Sequence, residues 1–154
     1  MYPFVVATHN IMRWVVVALA IWALVRVYMG WFGKKEFTET DRKALSFYSI
    51  GLDIQLLLGL ILYFWGNWFG VMSNMGNASG EARFFGVEHI AMMIIAVILG
   101  HLAVIMSKRA TTPAGKFKRG ALYLTLSVLA VLVGIPWQYS GLLPTLSSIL
   151  QYLG

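Results

Sequence analysis

The sequence contains no cysteine and few charged residues. The lack of cysteine excludes disulfides, thiolate metal sites, iron–sulfur clusters and the covalent attachment of c-type heme. Charged residues make up 12% of the 154 positions, whereas soluble proteins average about 25%. Acidic residues are especially scarce, with six against twelve lysines and arginines. The low content of charged residues excludes most classes of soluble protein. The lack of cysteine means that any heme would have to be bound non-covalently.

Apolar residues dominate the composition of the sequence. They account for 59% of the sequence, and the mean hydropathy is +0.74. A 154-residue soluble core could not bury this much apolar surface. Four apolar segments, at about 4–30, 44–69, 83–106 and 120–137, are each long enough to cross a bilayer as a helix. The sequence therefore predicts one domain, 1–154, that is an all-α, integral membrane four-helix bundle.

Basic residues predict the orientation of this bundle. Those near the predicted connections lie between segments one and two and between segments three and four, whereas the connection at 70–82 has none. They are Lys34, Lys35, Arg42, Lys43, Lys108, Arg109, Lys116, Lys118 and Arg119. The positive-inside rule places both basic connections in the cytoplasm and both termini on the outer side of the membrane. The net charge of +6 is thus a topology signal and predicts no nucleic-acid partner.

Three local features refine this prediction. Thr40 or Asp41 can cap the second helix, and residues 111–115 have the composition of a plain turn. The apolar segment 142–153 is too short to span the membrane. We expect it to lie on the outer surface as an interfacial helix, or to pack against a partner.

Two histidines lie at matching depth in the first and third segments. His9 falls roughly 8 Å, and His89 roughly 9 Å, below the outer edge of segments that run in the same direction. Histidine within a membrane helix is rare and usually functional. Two imidazoles at one depth across a bundle can bind the two faces of an iron porphyrin. The pattern predicts that His9 and His89 are the metal ligands of one non-covalent heme b near the outer face.

Further polar residues accompany the pair. Arg13 and Arg83 are candidates to bind the heme propionates. An ion pair between Arg13 and Asp53 is the alternative, purely structural explanation of Arg13. On the second segment Gln55, Gly59 and Tyr63 recur every four residues, a stripe that can bring the backbone close to a flat ring.

The remaining intramembrane ionisable residues leave several roles open. Glu88 can bind Arg13, orient a heme ligand or carry protons. His101 lies about 18 Å from His89 along the helix. It can face Asp53 from a neighbouring helix, touch a quinone or a lipid head group, or extend toward the membrane surface. A second bis-histidine heme within one chain is excluded, because the sequence has only three histidines.

Several short motifs together resemble a known family. They are His9-x-x-x-Arg13-Trp14, Gln55-x-x-x-Gly59-x-x-x-Tyr63, the run from Arg83 to His89, and Ile135-Pro136-Trp137. They resemble small bacterial four-helix membrane proteins described as cytochrome b-like, and are more loosely similar to four-helix di-heme cytochromes b and to copper-resistance membrane domains. The resemblance covers about 9–137. It implies a b-type heme held by His9 and His89.

Two functions compete at this level. The first is a heme b protein that transfers electrons between a quinol pool or membrane complex and an acceptor. The second is a non-catalytic accessory subunit of a larger respiratory or photosynthetic complex. Both predict partners within the lipid bilayer, which include quinone, other membrane subunits or further copies of the chain. A proton path through Glu88, Asp53 and His101 ranks last, and no hydrolytic motif is present.

Overall fold

A computed structural model describes residues 1–137, and all of its regular elements are helical. The predicted interfacial segment 142–153 lies outside these described residues. Six α-helices follow one another within this described range. They are α1 (Tyr2–Phe32), α2 (Glu39–Trp65), α3 (Phe69–Ser73), α4 (Gly80–Arg83), α5 (His89–Lys108) and α6 (Pro113–Gly134). A 3₁₀ turn covers Met75–Asn77, and a π-helical turn, Phe84–Glu88, joins α4 to α5.

Four helices are long and apolar enough to cross a membrane: α1, α2, the continuous helix Gly80–Lys108, and α6. At 1.5 Å per residue even the 22 residues of α6 extend about 33 Å, which exceeds the hydrocarbon core of about 30 Å. The described chain is therefore an all-α, multi-pass membrane protein, as the composition predicted.

The ends of α2 and α6 differ most from the prediction, whereas those of the other two long helices lie within three residues of it. Helix α6 begins at Pro113 instead of 120, because the Thr112 hydroxyl caps it by accepting the N–H of Gly115 at 3.1 Å. Proline at the first helical position loses no hydrogen bond. The prediction of a plain turn at 111–115 is thus wrong. At the other end α6 stops at Gly134, before Pro136.

Helix α2 also begins earlier, at Glu39, and ends at Trp65 instead of 69. Its N-cap residue is Thr38, so the predicted cap at Thr40 or Asp41 is wrong. Asp41 still takes part, because its carboxylate accepts the N–H and the hydroxyl of Thr38 at 2.8 and 2.7 Å. That carboxylate is buried and also pairs with Arg26 at 2.7 Å. Asp41 therefore fixes the connection between α1 and α2.

The four long helices form a bundle in which α1 and α5 occupy diagonal corners. Each of these two packs against both α2 and α6. Small residues allow the close approach, since Ala23, Ala96, Ala103 and Ala121 are fully buried. The diagonal arrangement lets side chains of α1 and α5 meet only across the interior of the bundle.

Buried hydroxyls tie the middle of the bundle together. Tyr48 and Ser127 share a hydrogen bond of 2.9 Å, and the Ser127 hydroxyl also donates to the Ala96 carbonyl at 2.6 Å. Near the basic end, Tyr28 and Thr125 are 2.8 Å apart. Because lipid offers no alternative partner, such contacts fix the register of α2 and α5 against α6.

Candidate cofactor site

A cavity of about 310 Å³ opens in the bundle at the end opposite the basic connections. It lies between α1, α2, α5 and the residues that follow α6. Its walls are mainly apolar, and its polar side chains include His9, Arg13, Gln55, Tyr63 and His89. An apolar cavity of this size with a few convergent polar groups is typical of a ligand site.

His9 and His89 face each other across this cavity. Their ring centroids are 6.3 Å apart, and the two ring planes meet at 73°. Two imidazoles that hold one metal ion from opposite sides, each at about 2 Å from a ring nitrogen, would have ring centres about 6 Å apart. The structure thus brings together the two histidines singled out in the sequence, at a centroid spacing that would leave room for a metal ion between them.

The orientation of His89 follows from the way α6 ends. Pro136 has no N–H to donate to the carbonyl of Leu132, and the Trp137 indole donates there instead at 2.7 Å. The Gly134 carbonyl, freed at the helix end, lies 2.7 Å from Nδ1 of His89. A carbonyl only accepts, so Nδ1 carries the hydrogen and Nε2 of the neutral ring keeps its lone pair. Backbone contacts of this kind orient histidines that bind metals.

His9 is held from the side of α2. The Gln55 amide nitrogen lies 3.3 Å from Nε2 of His9 and donates to the His9 carbonyl at 3.0 Å. Gly59 leaves room for the ring, since a Cβ atom there would lie 3.2 Å from Cε1 of His9. Nδ1 of His9 is buried and has no hydrogen-bond partner within residues 1–137. His9 therefore has one ring nitrogen without a partner in this described part of the chain.

Two further buried atoms of the cavity residues lack partners in the described chain. They are Nε of Arg13 and Oε1 of Gln55. Buried polar atoms are almost always hydrogen-bonded. With Nδ1 of His9, three buried polar atoms on the residues of one cavity thus lack partners within residues 1–137. A ligand that carries polar groups would supply such partners. The donor set of two imidazoles and one guanidinium fits a metal porphyrin with carboxylates.

Arg13 has no carboxylate within ion-pair distance among the described residues. Its guanidinium lies 5.6 Å from the ring centroid of Trp14. The alternative ion pair with Asp53 is not formed, because Asp53 contacts His101 instead, at 2.9 Å. Glu88 is exposed and makes no ion pair with Arg13 either. Arg13 is thus a cation that lines the cavity and forms no ion pair within residues 1–137, although Glu81 lines the same cavity.

Some of the remaining predicted residues line the cavity, and one is exposed outside it. Gln55, Gly59 and Tyr63 line the cavity, as their spacing suggested. The Tyr63 hydroxyl donates to the Gly86 carbonyl at 2.9 Å, so it anchors the π-helical turn that precedes His89. Arg83 is exposed and does not line the cavity.

Sequence reasoning missed the Gly134 carbonyl and the π-helical turn Phe84–Glu88. The position of a backbone carbonyl cannot be inferred from residue types, although Pro136 indicates unpaired carbonyls in the preceding turn. The π-helical turn packs closely on α3, since a Cβ atom at Gly86 would lie 2.9 Å from Cβ of Val71. Such turns recur at functional sites, and this one sets the rotation of His89 about its helix.

Comparisons of the chain with protein-family models, curated proteins and solved structures find no match. Within residues 1–137 no three His, Cys, Asp or Glu side chains gather as a metal site. A heme needs only two protein ligands, so this finding leaves the histidine pair as a candidate. The chemistry of the site itself therefore carries the assignment of a function.

Proposed function

We propose that this protein is a membrane cytochrome that holds one heme b between His9 and His89 and transfers electrons. The observation that carries the proposal is the 6.3 Å separation of the two imidazoles across a cavity between diagonal helices. The motif resemblance to cytochrome b-like membrane proteins supports the same assignment. When bound, the heme supplies reversible one-electron chemistry at its iron.

The protein residues would each contribute to this chemistry. His89, held by the Gly134 carbonyl, offers Nε2, and His9 offers a nitrogen from the opposite side. Because His9 and His89 would hold the group from both sides, the arrangement would favour electron transfer over binding of a small gas or substrate. Arg13 would neutralise a propionate, and its positive charge would favour the reduced state of the site.

We further propose that the basic end of the bundle faces the cytoplasm of a bacterial inner membrane. Residues Lys34, Lys35, Lys108 and Arg109 lie at or next to the helix ends there. The cavity would then open toward the periplasmic side. Electrons would pass between a membrane quinol pool, or a membrane complex, and an acceptor near that side.

A visible spectrum of the detergent-purified protein, reduced minus oxidised, tests the proposal, and a pyridine hemochrome assay gives the stoichiometry. We expect a b-type α band and one heme per chain. His9→Ala and His89→Ala should each abolish it, whereas His101→Ala, the matched control, should retain it. Normal heme in either of the first two variants would overturn the ligand assignment. Two hemes per chain would make His101 a ligand.

Wild-type protein that contains no heme would overturn the proposal as a whole. The accessory-subunit function would then gain support if the colourless protein co-elutes with a larger membrane complex. The large exposed apolar surface of α1, α2 and α5 is compatible with such packing as well as with lipid.

A further inference from the structure

A second polar site lies outside the cavity, where α2 and α5 meet on the surface of the bundle. Nε2 of His101 is 2.9 Å from Oδ1 of Asp53. The two side chains are 48% and 39% exposed, respectively. The other two histidines face the cavity, so this pair belongs to a different environment.

The pair lies deep in the membrane. Asp53 follows Lys43 by ten residues, about 15 Å along α2, and His101 precedes Lys108 by seven, about 10 Å along α5. Both positions fall well inside a hydrocarbon core of about 30 Å. An exposed side chain at this depth meets lipid, so only a molecule dissolved in the bilayer, or another membrane helix, can reach the pair.

The surroundings of the pair are apolar. Exposed isoleucines flank it on both helices, with Ile50 and Ile54 on α2 and Ile98 and Ile105 on α5. Ionisable groups that face hydrocarbon are costly and rarely kept without a function. The surface is therefore complementary to a ligand with a small polar centre and an apolar periphery.

The hydrogen-bond geometry fixes what the pair presents outward. When the His101 imidazole is neutral, the Asp53 carboxylate accepts its Nε2 hydrogen, and a lone pair is left on Nδ1. A carboxylate that orients an imidazole in this way makes the opposite nitrogen a proton acceptor. Within residues 1–137, Nδ1 of His101 and the second carboxylate oxygen of Asp53 make no other hydrogen bond, so both can accept one from a hydroxyl.

We propose that Asp53 and His101 form a lipid-facing binding site for the head group of a membrane quinol. A quinol hydroxyl would donate to Nδ1 of His101, and the ring and its apolar tail would lie on the flanking isoleucines. Asp53 lies six residues, about 9 Å along α2, from Gly59, which lies beside the His9 ring, and the neighbouring Leu52 lines the cavity. The choice of quinol among lipid-soluble hydroxyl compounds rests on the proposed electron-transfer function.

Photolabelling of the full chain in lipid nanodiscs with an azido-quinone, followed by peptide mapping, tests this site. We expect labelling on α2 or α5 near Asp53 and His101, and we expect a short-chain quinol to compete with it. His101→Phe should weaken the competing quinol at least tenfold, which corresponds to about 1.4 kcal/mol. Asp53→Asn should have a smaller effect of the same sign. Ile94→Ala is the control, because Ile94 is exposed on α5 two turns away.

If the His101→Phe variant does not fold, the double variant Asp53→Leu/His101→Phe replaces it in the experiment. The double variant removes both partners and therefore leaves no unpaired carboxylate. Labelling and competition that are unchanged in the variants would overturn the proposal. The proposal would also be overturned if no labelling occurs and the protein forms a dimer that the His101→Phe variant does not form. The pair would then be a contact between two copies of the chain. Heme content, measured on the same samples, separates the two proposals. Normal labelling without heme overturns only the cytochrome, and normal heme without labelling overturns only the quinol site.

Discussion

Nδ1 of His89 lies 2.7 Å from the carbonyl oxygen of Gly134, and this contact links the orientation of a candidate metal ligand to the end of α6. Replacing Pro136 by Ala restores a backbone N–H and allows α6 to continue. We expect Gly134 to become a helix acceptor and His89 to lose its fixed orientation. Pro136→Ala should then weaken heme retention about 10–100-fold, the range typical of outer-sphere changes.

Trp137→Phe is the matched control for this change, because it removes the indole donor to Leu132 and keeps the proline. Heme dissociation from each variant to excess apomyoglobin measures the effect. A dissociation rate for Pro136→Ala equal to that of the wild-type protein would mean that the helix end does not orient His89.

Gly59→Ala should separate stability from cofactor binding. Alanine within a helix is more stable than glycine by about 0.5–1 kcal/mol, so the heme-free protein should unfold at the same or a higher temperature. The new Cβ atom would lie 3.2 Å from Cε1 of His9, so the ring must shift. We expect reduced heme content together with unchanged or raised thermal stability. Gly70→Ala, where the nearest atom is 3.7 Å away, should leave the heme content unchanged.

Arg13→Met should stabilise the heme-free protein but weaken heme binding. It removes an intramembrane cation that has no anionic partner within residues 1–137, so the heme-free protein should gain about 1–3 kcal/mol. The same change should weaken heme binding and lower the midpoint potential, because a positive charge near the site is lost. Unfolding in detergent and a redox titration measure the two effects. Arg83→Met, at an exposed position, distinguishes the two predicted propionate partners.

The Tyr63 hydroxyl is the side-chain anchor of the π-helical turn before His89. Tyr63→Phe leaves the Gly86 carbonyl without this donor in a buried place, which should cost about 1–3 kcal/mol of unfolding free energy. Tyr123→Phe is the control, because the Tyr123 hydroxyl makes no hydrogen bond in the described part of the chain. Equal stability of the two variants would show that the contact adds nothing.

Much of this architecture could be predicted from composition, because apolar length and charge spacing have few alternatives in a membrane. His9 and His89 could be paired by counting residues from the segment ends, since helical rise converts position into depth. The contact of Asp53 with His101 was one of several options, and only the packing of α2 on α5 selects it. Arg13 was harder to place, because rotation about a helix axis depends on side-chain packing that no sequence pattern specifies. The π-helical turn adds a further rotation of the same kind.

The orientation of the bundle gives the last prediction, and the lack of native cysteine makes it simple to test. Single cysteines at Lys35→Cys and Asn77→Cys would lie at opposite ends of the bundle, in the α1–α2 and α2–α5 connections. A membrane-impermeant maleimide added to intact cells should label position 77 but not position 35. After the cells are lysed, both should react, which controls for accessibility. The reverse pattern would place the basic end outside, and the cavity that holds His9 and His89 would then open toward the cytoplasm.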